Sequence, residues 1–175
     1  MTFPRVCLER TVELEGARLR LRDWPGSGGP LVHVADPLLP NDLVVNALAA
    51  WFAPRYRVVS LEPRAGQPYQ IQTADLWAML HQFGFSAPIL VGQRLGCVAA
   101  LLVAAWYPES VARLILVDQI VEAPAGQEAS IEARALRECP PDRATLRRAV
   151  KCPVLELCWA QTASAQDLQT FVRLP

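Results

Sequence analysis

Pro88-Ile-Leu-Val-Gly-Gln-Arg-Leu-Gly-Cys-Val-Ala-Ala-Leu-Leu-Val-Ala-Ala-Trp-Tyr-Pro108 decides the fold of this chain. Pro88 to Val91 is fully apolar and too short for a helix, which predicts a strand buried on both faces. Gly92-Gln93-Arg94-Leu95-Gly96 is a tight connection bracketed by glycines. Leu95 to Tyr107 is uncharged and ends at Pro108, which predicts a buried helix. It falls well short of the roughly 20 residues that cross a bilayer.

Outward from this unit the pattern repeats. Leu114 to Val117 is another apolar strand, closed by Asp118. Upstream, Leu31 to Ala35 and Tyr56 to Leu61 read as strands. Helical spacing joins Leu43, Val44, Ala47, Leu48 and Trp51, with Asn41 as N-cap and Pro54 as stop. A second helix starts at or just before Thr73, buries Leu76, Leu80 and Phe83, and stops at Gly84. Thr11 to Leu14 and Ala17 to Trp24 form a hairpin, because Leu19 and Leu21 alternate with Arg18, Arg20 and Arg22. Downstream, Pro124 to Lys151 is charged and helical with a break at Pro140-Pro141, Val154 to Trp159 is a last strand, and Gln166 to Arg173 a short helix. Alternating strands and helices imply a largely parallel sheet covered on both faces, with the hairpin as an antiparallel edge.

The order of these pieces resembles the α/β-hydrolase superfamily, from about Val12 to Asp118 and again from Cys152 to Trp159. The strings that carry it are Leu31-Val-His-Val34, Tyr56-Arg-Val-Val59, Ile89-Leu-Val-Gly-Gln-Arg-Leu-Gly96, Tyr107-Pro-Glu-Ser-Val-Ala-Arg-Leu-Ile-Leu-Val-Asp118 and Lys151-Cys-Pro-Val-Leu-Glu-Leu157. The resemblance implies one α/β/α sandwich over residues 1–175, with residues 119–153 as a reduced cap-like insertion and the family's last strand and helix missing. Such domains often run roughly 200–250 residues.

That family's chemistry requires a nucleophile on the strained turn G-x-S-x-G. Here Gly92, Gln93, Arg94, Leu95 and Gly96 form the turn, and Arg94 takes the nucleophile position. A guanidinium stays protonated, has five donors and no acceptor, and cannot attack a carbonyl. The general base that the family places near its C-terminus has no counterpart, since no His follows His81. Near the acid position stand Ala160 to Ser164, with Asp167 the nearby carboxylate. The oxyanion loop's His-Gly is replaced by His33-Val34-Ala35-Asp36, which puts a carboxylate where negative charge would develop. Glu62 stands where the family usually has Asp, and Arg64-Ala65-Gly66 keeps part of that turn. His33 is expected as a buried structural residue, His81 as a surface or helix-packing one, and Asp118 as a turn former.

The vestigial site is thus expected at Gly92–Gly96, His33, Asp36, Glu62 and Asp118, with Arg94 paired to one of the three carboxylates. One functional expectation is an inactive binding or assembly subunit, docking through the edge Val154–Trp159 or the segment Gln127–Lys151. A second is an anion or small-molecule receptor, because Arg94 opens a helix N-terminus at the carboxyl ends of the strands. A third is an enzyme using Cys97, Glu62, Asp36 or Asp118 in a non-standard role.

Composition narrows the partners. The chain has 175 residues, 52% apolar, and balances 17 basic against 17 acidic side chains, which excludes a disordered tail and argues against a nucleic-acid or anionic-membrane binder. The basic residues of Gln127–Lys151 are interleaved with acids and lack an aromatic platform, so nucleic acid is not expected there either. Five cysteines without a C-x-x-C, and two histidines, imply buried free thiols, with no metal and no cofactor. Met1–Arg10 has no apolar core of a secretory leader, so a cytoplasmic location is expected.

Overall fold

The computed structural model describes residues 6–14, 16–38, 42–53, 55–119, 143–158 and 165–173. A seven-stranded sheet runs in the order β1-β2-β4-β3-β5-β6-β7. The strands are β1 (Leu8–Leu14), β2 (Ala17–Trp24), β3 (Gly28–Val34), β4 (Tyr56–Glu62), β5 (Ile89–Gln93), β6 (Arg113–Val117) and β7 (Val154–Leu157). The β1–β2 hairpin joins β4 antiparallel, and β4, β3, β5, β6 and β7 are mutually parallel. The mixed sheet with one antiparallel edge is the architecture expected from the sequence.

Helices cover both faces. On one lie α1 (Asp42–Phe52) and α5 (Ala165–Arg173). Val44, Leu48, Phe52, Leu168 and Val172 pack there against Leu31, Val58, Val91 and Ile115. On the other lie α2 (Tyr69–Gln82) and α3 (Gly96–Trp106), whose Leu76, Met79 and Ala100 meet Val32, Val59, Leu90 and Leu116. The parity of β3, β4, β5 and β6 thus divides one apolar strand set between two cores. In α3, every residue from Gly96 to Ala104 is buried, as its uncharged sequence requires.

Several boundaries differ from the sequence reading. The first strand starts at Leu8 and the third at Gly28, both earlier than expected, because hairpin pairing extends through Glu9 and Arg10 and parallel pairing through Gly28 and Pro30. Helix α2 begins at Tyr69, one turn before Thr73, since Pro68 supplies the carbonyl that Ile71 and Gln72 use. Helix α3 starts at Gly96 with Leu95 as its N-cap, and ends at Trp106. The last strand is described to Leu157, and Trp159 lies outside the described residues, as do Asn41 and Pro54.

Of the segment expected to form a reduced cap, Gln119 and residues 143–153 are described. There α4 (Arg143–Ala149) inserts Leu146 beside Val98 and Leu102 of α3, within the helical layer of the β6–β7 connection. Residues 120–142, which hold most of the charged segment, lie outside the described residues.

Two bidentate ion pairs brace the frame. Arg57 donates through Nε and Nη2 to the buried carboxylate of Asp23 at 3.0 and 2.7 Å, stacking beneath Phe83 and Phe85. That carboxylate raises the Arg57 pKa. Arg64 grips Asp75 at 2.9 and 3.0 Å, tying the loop after β4 to α2.

Leu102 is fully buried between α3 and α4. Leu102→Ala is expected to lower unfolding free energy by about 2–5 kcal/mol, read from urea denaturation. A loss well under that range would show that α4 does not seal this part of the core.

Candidate functional site

The site is built on the turn from β5 into α3. A Cβ on Gly92 would lie 2.6 Å from the Cα of Cys97, and one on Gly96 would lie 2.3 Å from the carbonyl oxygen of Val34. Both positions are therefore glycine because backbone occupies the space of a side chain. The turn residue between them, Arg94, has φ +49°, a left-handed conformation that costs a non-glycine residue about 1–2 kcal/mol. Its N–H donates to Val117 O at 2.9 Å, so the ladder with β6 extends into the turn. The Cys97 and Val98 N–H groups then donate to the carbonyls of Arg94 and Leu95, starting the helix.

Arg94 meets Asp36. Its Nε donates to Asp36 Oδ2 at 2.8 Å, and the other oxygen, Oδ1, accepts the Leu38 N–H at 2.9 Å. The Asp36 side chain is 0% exposed and that of Arg94 is 29% exposed. The loop after β3 and the turn after β5 are thus joined by a charge-assisted bond. Of the three carboxylates expected near Arg94, Asp36 holds this bond. Glu62, at the end of β4, has longer ion contacts with Arg20 and Arg22 at 3.8 and 3.7 Å. Asp118 follows β6 with φ +48°, and its N–H donates to Leu157 O at 2.8 Å. Its left-handed backbone turns the chain after β6.

Beneath the turn lies a buried polar row. His33 Nε2–H donates to Gln93 Oε1 at 3.0 Å, and the Ser60 hydroxyl donates to His33 Nδ1 at 2.9 Å. Serine, base and orienting amide have the spacing of an activated nucleophile. All three are buried, and desolvation pushes the imidazole down to about 4. His33 is neutral and satisfied, holding β4, β3 and β5 in register beside Arg94. The sequence pointed to His33 and Gln93; Ser60 was missed, since its cross-strand position opposite His33 becomes visible once register is known.

The thiols differ from the expectation. Cys97 is buried, with Sγ 3.2 Å from Gly92 O, but Cys7 and Cys152 are half-buried and Cys158 is exposed. Cys139 lies outside the described residues. Among the described residues no group of three His, Cys, Asp or Glu could hold a metal ion, and no helix is long and apolar enough to cross a membrane. His81 is exposed at the end of α2, edge-on to Trp77.

No protein-family model and no curated protein matches the sequence. Solved structures do match. A bacterial membrane phospholipase A superposes with TM-score 0.69 at 17% identity, over 95% of this chain and 86% of that one. E-2-(acetamidomethylene)succinate hydrolase gives 0.69 at 16% identity, over 96% and 88%. An α/β-hydrolase fold protein from Burkholderia ambifaria gives 0.56 at 25% identity, over 67% of this chain and 46% of that one. The chain therefore has the α/β-hydrolase fold.

Arg94→Ala strips a buried carboxylate of its cation and is expected to destabilise by about 3–5 kcal/mol. Adding Asp36→Ala should recover much of that loss; strictly additive effects in the double-mutant cycle would show that the two side chains are not coupled.

His33 makes a second test. Its folded pKa of about 4 lies below the usual 6.5, so unfolding takes up a proton between these values. Its contribution is complete above pH 6.5 and is lost as pH falls toward 4, by about 3 kcal/mol in total. Urea unfolding of wild type and His33→Gln across this window should show the extra acid slope in wild type alone.

Proposed function

We propose that this chain is a catalytically inactive α/β-hydrolase-like protein that works as a binding or assembly subunit. The observation that carries the reading is the Arg94–Asp36 bond. It puts a permanently charged, non-nucleophilic group on the strained turn and joins it to the loop where this fold commonly stabilises an oxyanion. Supplying a general base from elsewhere would not make that guanidinium attack a carbonyl.

The anion-receptor alternative at Arg94 is less favoured, because the Asp36 carboxylate already meets the guanidinium and repels a second anion. The alternative of an enzyme with non-standard chemistry draws support from its structural neighbours, two of which are named as a phospholipase and a hydrolase. The left-handed backbone at position 94 and its flanking glycines also keep the geometry of a working turn.

A binding role has a candidate surface in β7. Among the described residues this strand pairs with β6 alone, and its sequence continues to Trp159. An edge strand offers main-chain donors and acceptors to a partner strand. The segment Gln127–Lys151 is the other candidate.

The discriminating experiment combines an active-site-directed fluorophosphonate probe, an ester panel and affinity purification of the chain from its own cells. No labelling, no turnover and a stoichiometric protein partner are expected. Proline substitution at Glu156, whose N–H points away from β6, should release that partner if β7 is the interface. Covalent labelling or turnover that disappears in a variant of Cys97, Glu62 or Asp118 would overturn the proposal in favour of an enzyme.

A further inference from the structure

Among the described residues, the two edges of the sheet are built differently. At one edge, β1 is exposed along most of its length and carries Glu9, Arg10 and Glu13. Such charges block pairing with another strand, and self-pairing centred on Thr11 would set Glu9 against Glu13. At the other edge, β7 has Glu156 as its one charged residue, and Arg147 of α4 already meets that carboxylate at 3.1 Å. Its other residues are half-buried and apolar: Val154 packs on the α3 side of the sheet, Leu155 and Leu157 on the α1 side. The carbonyls of Pro153 and Leu157 accept the N–H groups of Leu114 and Asp118 at 3.0 and 2.8 Å. Odd-numbered residues of β7 thus bond to β6, and Val154 and Glu156 aim their main-chain groups away from the sheet.

We infer that a second copy of this chain occupies this edge, its own β7 running antiparallel about a two-fold axis at Leu155. The inference rests on the reading of the chain as an assembly subunit and names the partner. A two-fold contact uses the same patch on both copies, so β7 must complement itself. Two registers keep most of the strand paired. An axis at Glu156 sets that carboxylate directly against its own copy, which is unfavourable. An axis at Leu155 sets Val154 against Glu156 in both directions and Leu155 against Leu155, which covers the half-buried apolar residues. Extended by one more outward-facing residue, the same register brings Cys158 of each copy opposite Cys152 of the other. Hydrogen-bonded antiparallel pairs have Cα atoms about 5.5 Å apart, inside the range of about 4.4–6.8 Å that a disulfide spans. Cys158 is exposed and Cys152 half-buried, so a thiol reagent can reach the first and pass the bond to the second.

The test is sedimentation of the full chain, then oxidation with glutathione disulfide and mapping of the bond on a non-reducing gel. Each cross-link joins one Cys158 thiol to one Cys152 thiol, consumes one glutathione disulfide and releases two glutathione thiols. A dimer at roughly 100 µM is expected, its copies joined through Cys152 and Cys158. Glu156→Pro removes an outward N–H and should weaken the dimer about tenfold or more while keeping the wild-type unfolding profile. Cys158→Ser should abolish the cross-link and keep the dimer. The mapping uses the wild-type chain, so it holds even where the proline variant fails to fold. A monomer at that concentration overturns the inference. So does a dimer whose copies are not joined through Cys152 and Cys158, or one that a folded Glu156→Pro leaves intact. A monomer that captures a different protein would sink this inference alone, whereas ester turnover by the dimer would sink the reading as an inactive subunit alone.

Discussion

The close approach of α3 to the sheet governs this structure. At Gly92 and Gly96 the helix start touches backbone of β5 and of the β3 end, leaving no space for a Cβ at either position. That approach lets Cys97, Ala99 and Ala100 reach the core beneath β3, β5 and β6. It also forces the intervening residue into the left-handed region, projecting its side chain from the carboxyl end of the sheet. Any residue at position 94 inherits this placement. The strain is a property of the architecture, and the chemistry depends on which side chain carries it.

With arginine there, the constraint produces a cross-link. A long, charged side chain held at that point must find a counter-charge or remain in solvent, and Asp36 is in reach. Asp36 in turn needs both oxygens satisfied because its side chain is fully buried, which the Leu38 N–H and Arg94 Nε accomplish. The pair is interdependent: removing the arginine leaves a buried charge, and removing the aspartate leaves the arginine without this bond. The His33 row lies one layer below and adds a neutral version of the same linkage, fastening the strands that carry Asp36 and Arg94. Position 94 has thereby become part of the structural frame.

Much of this was legible in the sequence for physical reasons. Strands such as Ile89–Val91 and Leu114–Val117 are apolar without interruption, and only a sheet covered on both faces accommodates them. The glycines at 92 and 96 marked the turn, and Arg94 marked its chemistry. What escaped depended on register or on pairing across the fold. Ser60 is an ordinary serine until β4 lies beside β3. Asp75 is an unremarked helical carboxylate until Arg64 reaches it. The sequence offered three carboxylates for Arg94, and choosing Asp36 required knowing which strand end lies beside β5. The β3–β5 pairing brings the end of β3 next to the turn, whereas Glu62 leaves β4 on the far side of β3.

Helix α4 carries the last step. Read as sequence, residues 119–153 suggest a reduced cap-like helical insertion. Yet Leu146 enters the layer beside α3, and Val150, Cys152 and Val154 continue that packing toward β7. This part of the segment therefore does what a crossover must do: it carries the chain from β6 across the helical face and returns it parallel in β7. A helix committed to that core cannot also roll over the carboxyl ends of the strands without exposing Leu146, Val98 and Leu102 together. Whatever access the turn at Arg94 has is thus not set by movement of α4.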